Sequence, residues 1–321
     1  MPDSPGVICP RSNIHPGIFQ IHVKTDMLPD MSNSASNPNA DVIEAWNTIL
    51  FDKFCRFKHL LIEGLGQHGS QVFKQYPAKP GMQVLDIGCG FGDTTVQLAQ
   101  MVGPSGKAVG VDCASNFIEA SRQRAKSHGA DNAEFICCDV QFDDMGGPFD
   151  AAYSRFGTMF FNSPVSAFKN IRKALKPGST FAMSVWRKRQ DNPCFYVAQQ
   201  TVERFIEESD KATDQITCGP GPFSMAGPDM VSDQLLAAGF IEPQFRRFDA
   251  PLCIGKSVDE ALAFAREIGP AGETMRLADQ KASHLKDKIE QALRDALQPF
   301  LKHDGVWAVS STWLVTARVP D

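Results

Sequence analysis

Val84-Leu85-Asp86-Ile87-Gly88-Cys89-Gly90-Phe91-Gly92-Asp93-Thr94-Thr95 is the stretch that decides how the chain is read. A largely apolar run, Gln83 to Ile87, leads into three alternating glycines, and Val96, Leu98, Ala99 and Val102 follow at roughly helical spacing. That succession predicts a strand, a tight turn and a helix. Glycines there let a bulky ligand approach the backbone at the carboxyl end of the strand, where a Cβ would block it and where φ > 0 costs glycine little. The expectation is a ligand-binding turn of a doubly wound sheet.

Two ligand classes use such a turn. A dinucleotide fingerprint reads G-x-G-x-x-G and sets a pyrophosphate on the helix N-terminus. Here Gly88, Gly90 and Gly92 are spaced G-x-G-x-G, so the third glycine comes one residue early. Asp86 at the strand end and Asp93 at the helix start would repel a pyrophosphate but could hold an ammonium group. That favours S-adenosylmethionine, which carries an amino group and no phosphate. The next strand, Ala108 to Val111, ends at Asp112, where both ligand classes place the carboxylate that takes a ribose diol.

With the stretches 84–92, 109–112, 137–140 and 175–186 in this order between Tyr76 and Arg187, the sequence resembles the class I S-adenosylmethionine-dependent methyltransferases of bacterial small-molecule type. The resemblance implies an α/β fold, a doubly wound seven-stranded mostly parallel sheet of Rossmann-like kind, with the last strand antiparallel beside strand five. It implies cofactor contacts at Asp86, Gly88, Cys89, Gly90, Asp112, Cys113, Asp139, Val140 and Arg155. It also places Tyr153 and Arg155 at the end of strand four, where the family meets the acceptor and the methionyl group. N-terminal helices would lie across the cofactor cleft.

Composition agrees with an ordinary globular protein: 321 residues, 43% hydrophobic, 21% charged. A net charge of −5 argues against a nucleic-acid footprint, which needs a basic face. The nine cysteines show no C-x-x-C spacing, which suits a reducing, cytoplasmic setting better than a disulfide framework or a zinc site, and no metal is expected. No apolar run approaches the ~20 residues of a membrane span.

The organisation expected from these patterns has four parts. Residues 1–40, rich in Pro, Ser and Asn, read as a disordered leader. Residues 41–76 read as an N-terminal helical lid, its first helix running from Asp41 to Leu61 with one stripe of Val42, Ile43, Trp46, Ile49, Leu50, Phe54 and Phe57, stopped by Gly64 and Gly66. Residues 77–189 form the cofactor-binding core, and 190–321 the rest of the same domain, with the last strands and two helical insertions for the acceptor. Ser115 and Ser163 read as helix N-caps, Ile241 to Phe248 as strand six, Glu290 and Arg294 as an i,i+4 pair, and Gly305 to Val319 as the last strand.

Methyl transfer from a sulfonium is an in-line displacement on an activated donor, so the protein need only align the acceptor, exclude water and, for some acceptors, take a proton. No Ser/His/Asp or metal-ligand constellation stands out. His59, His68 and Tyr153 are the candidate bases, each with a plain packing role as the alternative. The acceptor expected is a small organic molecule in a closed apolar pocket lined by Trp46, Phe54, Phe57, Phe195, Tyr196, Phe223, Phe264 and Met275. A homodimer is left open. A nucleic-acid amino-methyltransferase would carry Asn/Asp-Pro-Pro-aromatic after strand four, but Ser154-Arg155-Phe156-Gly157 stands there. An NAD-dependent oxidoreductase, or a non-catalytic partner protein that keeps the cofactor fold, are the competing readings.

Overall fold

A computed structural model describes residues 37–206, 220–277 and 284–321. Strand β1, Gln83–Ile87, shows why the sheet forms where it does: its side chains alternate between two faces, Val84 in one apolar layer, Leu85 and Ile87 in the other. A strand buried on both faces is a parallel one covered by helices. Strands β2 (Lys107–Asp112), β4 (Phe149–Arg155) and β5 (Leu175–Trp186) repeat the pattern, while β3 (Ala133–Cys137), at the sheet edge, buries only Phe135. They pair in parallel, β3-β2-β1-β4-β5. The chain order reverses between β1 and β4, and a crevice opens at the carboxyl ends there.

β6 (Ile241–Gly255) and β8 (Gly305–Arg318) complete the sheet, β8 running antiparallel between β5 and β6, as expected of the last strand. The sheet holds eight strands rather than seven, because the two residues of β7, Leu301–Lys302, fold back on β8. Strand β6 also runs past Phe248, where the sequence suggested a stop. Pro251 is tolerated because β6 is the edge strand, and the buried Ala250, Leu252 and Ile254 carry the alternation on.

Helices cover both faces: α1 (Ala40–Asn47), α2 (Ile49–Arg56), α3 (Leu65–Gln75), α4 (Asp93–Val102), α5 (Ser115–Ser127), α6 (Pro164–Lys173), α7 (Pro193–Glu203), α8 (Pro228–Ala237), α9 (Val258–Glu267), α10 (Pro270–Leu277) and α11 (Lys286–Leu297). The single helix expected over 41–61 is broken at Thr48, whose φ −120 and ψ −99 are not helical, and Ile49 is exposed. Gly64 and Gly66 end nothing. A π-helical turn, Leu60–Gly64, continues directly into α3, and Gly64 packs against Leu252, where a Cβ would lie 2.5 Å from its side chain.

Neither serine caps its helix by its side chain. Ser115 Oγ donates to Asn47 Oδ1, and Ser163 Oγ to Ser166. Glu290 and Arg294 do not pair with each other: Glu290 takes Arg266, and Arg294 takes Asp259, so these charges join α11 to α9 instead of bracing one helix. Of the leader expected over 1–40, residues 1–36 lie outside the described part, as do 207–219 and 278–283. The boundary at 40 is too late, since Asn39 is buried and Ala40 opens α1. Among the described residues no helix is long and apolar enough to cross a membrane.

Candidate functional site

A cavity of about 670 Å³ lies at the carboxyl ends of β1 to β4, roofed by α1, α2, α7, α9 and α10. Its floor is the glycine loop. Gly88 takes φ +68, and a Cβ on it would stand 2.8 Å from Gly157 Cα, so the loop and the end of β4 touch backbone to backbone. Gly88 N–H and Cys89 N–H both donate to Val111 O, and Gly90 N–H donates to Asp112 Oδ2 at 3.0 Å. Asp112 Oδ1 accepts from Ala114 N–H. Burial raises the Asp112 pKa, and these backbone donors partly offset it. Beside it stand Cys113 and Cys138, whose thiols burial pushes up, Cys138 to about 12, so both are neutral packing groups at pH 7.

Asp93 begins α4, nearly fully buried, and its Oδ2 lies 2.6 Å from Arg155 Nη2. The pair is an ion contact rather than an aligned hydrogen bond, since that oxygen has no hydrogen-bond partner. A carboxylate and a guanidinium side by side on a cavity wall complement a zwitterionic amino-acid group. Asp139, at the end of β3, accepts from Gln141 N–H on Oδ1 and from Asn39 Nδ2 on Oδ2 at 2.6 Å.

Gly88, Cys89, Gly90, Asp112, Cys113, Asp139, Val140 and Arg155 all line this one cavity, and Asp86 does not. Strand alternation turns Asp86 to the face of Val84, where its Oδ2 accepts from Thr95 Oγ1 at 2.6 Å. Burial pushes its pKa up to about 7, against the Thr95 hydroxyl and the Arg155 charge. Asp86 holds α4 against β1, and Asp93 is the carboxylate that faces the cavity.

None of the three candidate bases lines the cavity. Tyr153 points to the same rear face as Asp86, packs on Phe73 and donates to Tyr76 O, and burial pushes its pKa up to about 12. His68 is fully buried behind Phe156 and Trp186, with its ring nitrogens on Thr312 Oγ1 and Ser310 Oγ. Burial first, then the Arg155 charge, lowers its pKa to about 4, so it is a neutral structural imidazole. His59 pairs with Glu260 at 2.9 Å near the surface.

Toward β5 and the helical insertions the wall carries Phe156, Trp186, Phe195, Phe223, Leu252 and Phe264, and the charged Arg266, Glu267, Glu273 and Lys286 of the insertions also line the cavity. Phe156 stacks on Trp186 at 4.3 Å and holds φ +62, a strained backbone for a bulky residue, which turns its ring toward the cavity wall. Of the aromatic and methionine residues expected here, Phe57 and Tyr196 do not reach the cavity. Trp46 does, but against Phe117 and Phe160, where the polar and apolar halves meet, so it does not belong to the acceptor side alone. Asn39 and Leu252 were not foreseen. Asn39 sits where the composition reads as leader, and Leu252 lies beyond Phe248, where strand six was expected to end.

Residues 78–223 match the family model described as a methyltransferase domain. Among curated proteins the chain is 33% identical over 143 residues to "2-phytyl-1,4-naphtoquinone methyltransferase" of Trichormus variabilis, covering 42% of this chain and 61% of that protein. It is 30% identical to "Demethylmenaquinone methyltransferase" of Staphylococcus carnosus, over 42% of this chain and 56% of that one. The chain thus spans somewhat over half the length of these relatives. A solved structure from Bacillus halodurans shares the fold at 17% identity and TM-score 0.51, covering 79% of this chain and 99% of that one. The sheet order, the strand-end cavity and these relatives agree, and they do not favour a dehydrogenase: residues 78–223 match a methyltransferase domain carried on a doubly wound sheet.

Proposed function

We propose that the protein transfers a methyl group from S-adenosylmethionine to a small, largely apolar organic acceptor. The observation that carries this is a single cavity with a polar half at the strand ends of β1 to β3 and an aromatic half against β5, α7 and α9. When bound, S-adenosylmethionine supplies a methyl group already activated on a sulfonium. Asp93 would meet its ammonium and Arg155 its carboxylate, Asp112 its ribose diol, and Asp139 with Val140 its base. The Gly88–Gly157 contact removes the side chains that would fill that cradle.

The chain's own work is then alignment and exclusion of water. Trp186, Phe195 and Phe264 present ring edges and faces to a flat apolar molecule, with Trp186 and Phe195 at 5.3 Å. Among the described residues no histidine lines the cavity. Two of the sequence relatives are named for quinones, and an aromatic ring with an apolar substituent suits this wall.

The test is mass spectrometry with isotopically labelled donor and a panel of aromatic acceptors that includes a demethylated naphthoquinol. Labelled product from an aromatic member is the expected result. Tight NAD binding with none for S-adenosylmethionine, seen by calorimetry, would overturn the reading.

A further inference from the structure

Asn39 stands immediately before α1, at the position where asparagine ordinarily caps a helix. Its side chain makes no capping bond. Its backbone is held all the same, with N–H donating to Asn37 Oδ1 and C=O accepting from Ile43 N–H, both at 2.9 Å. The side chain instead crosses to β3 and donates through Nδ2 to Asp139 Oδ2 at 2.6 Å.

A carboxylate only accepts, so the amide nitrogen must face Asp139 and the amide oxygen must face away. That oxygen, Oδ1, is buried with no hydrogen-bond partner, in a residue 4% exposed that lines the cavity. Such an acceptor awaits a donor, since a buried acceptor left unpaired loses the hydrogen bonds it would make to water.

The sheet says which donor. The ends of β1, β2 and β3 follow one another across the sheet, about 5 Å apart. Asp93 and Arg155 by the first take an amino acid, and Asp112 at the second takes a diol. The third, Asp139 with Asn39, therefore receives the base. The exocyclic amine is adenine's N–H donor once N9 carries the ribose. We propose that Asn39 is a specificity residue for the cofactor, its Oδ1 accepting from the 6-amino group of adenine, in a role that rests on the S-adenosylmethionine reading above. A 6-oxo base would set a carbonyl oxygen against this oxygen and the Asp139 carboxylate, two acceptors with no proton between them.

The experiment titrates S-adenosylhomocysteine and its deaminated analogue S-inosylhomocysteine calorimetrically into the wild-type chain, Asn39→Leu and Asn39→Ala, with unliganded melting temperature as the folding control. Leucine nearly matches asparagine in shape, so the packing of α1 is kept. Wild type should prefer the amino form by roughly 100-fold, and either variant should cut that preference to about 10-fold or less, with Asp139 supplying the remainder. If both ligands weaken equally and the ratio stays put, Asn39 merely anchors α1 and the proposal is overturned. If neither ligand binds the wild-type chain, the cofactor reading itself fails, and the proposal with it.

Discussion

Apart from Asn39, the polar half of the cavity comes from strand ends and loops between residues 88 and 157, most of them placed by the backbone turn that carries them. The aromatic half collects Leu60, Trp186, Phe195, Leu252 and Phe264 from a π-helical turn, two strands and two helices. One half is built by local geometry, the other by packing between distant segments. A site of the first kind survives changes elsewhere in the chain and fails when its own carboxylate goes. A site of the second kind can be reshaped gradually by its neighbours without touching the first.

The sharpest way to break that division is Asp112→Ala. Removing an acceptor for two ribose hydroxyls should lower donor affinity by roughly 30- to 1000-fold, about 2–4 kcal/mol. Calorimetry with S-adenosylhomocysteine reads it. Wild-type affinity would mean the strand ends are not the donor site.

Each half also has a buried titrating group behind it, and the two have opposite signs. His68, behind the aromatic wall, falls from 6.5 to about 4 on folding. The unfolded chain therefore binds the extra proton between those values, and the contribution of His68 is full above pH 6.5 and lost as pH drops toward 4, by about 3 kcal/mol. Asp86, behind the glycine loop, rises from 3.8 to about 7. Here the folded chain holds the extra proton, so that contribution is full below pH 3.8 and lost as pH rises to 7. Over pH 4 to 6.5 the two slopes oppose. In urea melts at pH 4.5, 5.5 and 6.5, Asp86→Asn should steepen the rise of stability with pH and His68→Gln should flatten or reverse it. Parallel curves for both variants would show that neither group is buried as described.

Phe195→Leu probes the aromatic half alone. Losing ring contacts with Trp186, Phe223 and Phe264 should raise acceptor KM about 10-fold, while donor affinity stays within about twofold. Equal losses for both substrates would erase the boundary between the halves. Trp46→Ala, by contrast, should weaken both, because the indole packs on Phe117 of α5 as well as on Phe160. The smallest effect belongs to His59→Ala. The ring is partly exposed, and its Glu260 partner lies outside the cavity, so kcat/KM should stay within about twofold. A drop of 100-fold would restore His59 as a base.

That Gly88, Gly90, Asp112, Asp139 and Arg155 share one cavity was legible because each is tied to the end of a strand whose apolar run announces it. That Asp86 lies off the cavity was hidden by the same pattern: a two-residue alternation was needed to see that it shares the face of Val84, with Thr95 closing over it. His68 could not be judged from α3 alone, since its partners Ser310 and Thr312 lie on the last strand. The helix over 41–61 looked continuous because a stripe of apolar residues says nothing about a break at Thr48.

By itself the sequence determined the parallel sheet, the glycine loop and the chemical type of the donor, because backbone freedom, strand period and carboxylate placement are set by neighbouring residues. The tertiary structure alone decided which carboxylate faces the cavity, that His59 and His68 stand outside it, that Asn39 reaches Asp139, and that the extended β6 supplies part of the aromatic wall. Those outcomes depend on contacts between residues far apart in the chain, where packing and desolvation, rather than local pattern, fix which way a side chain turns.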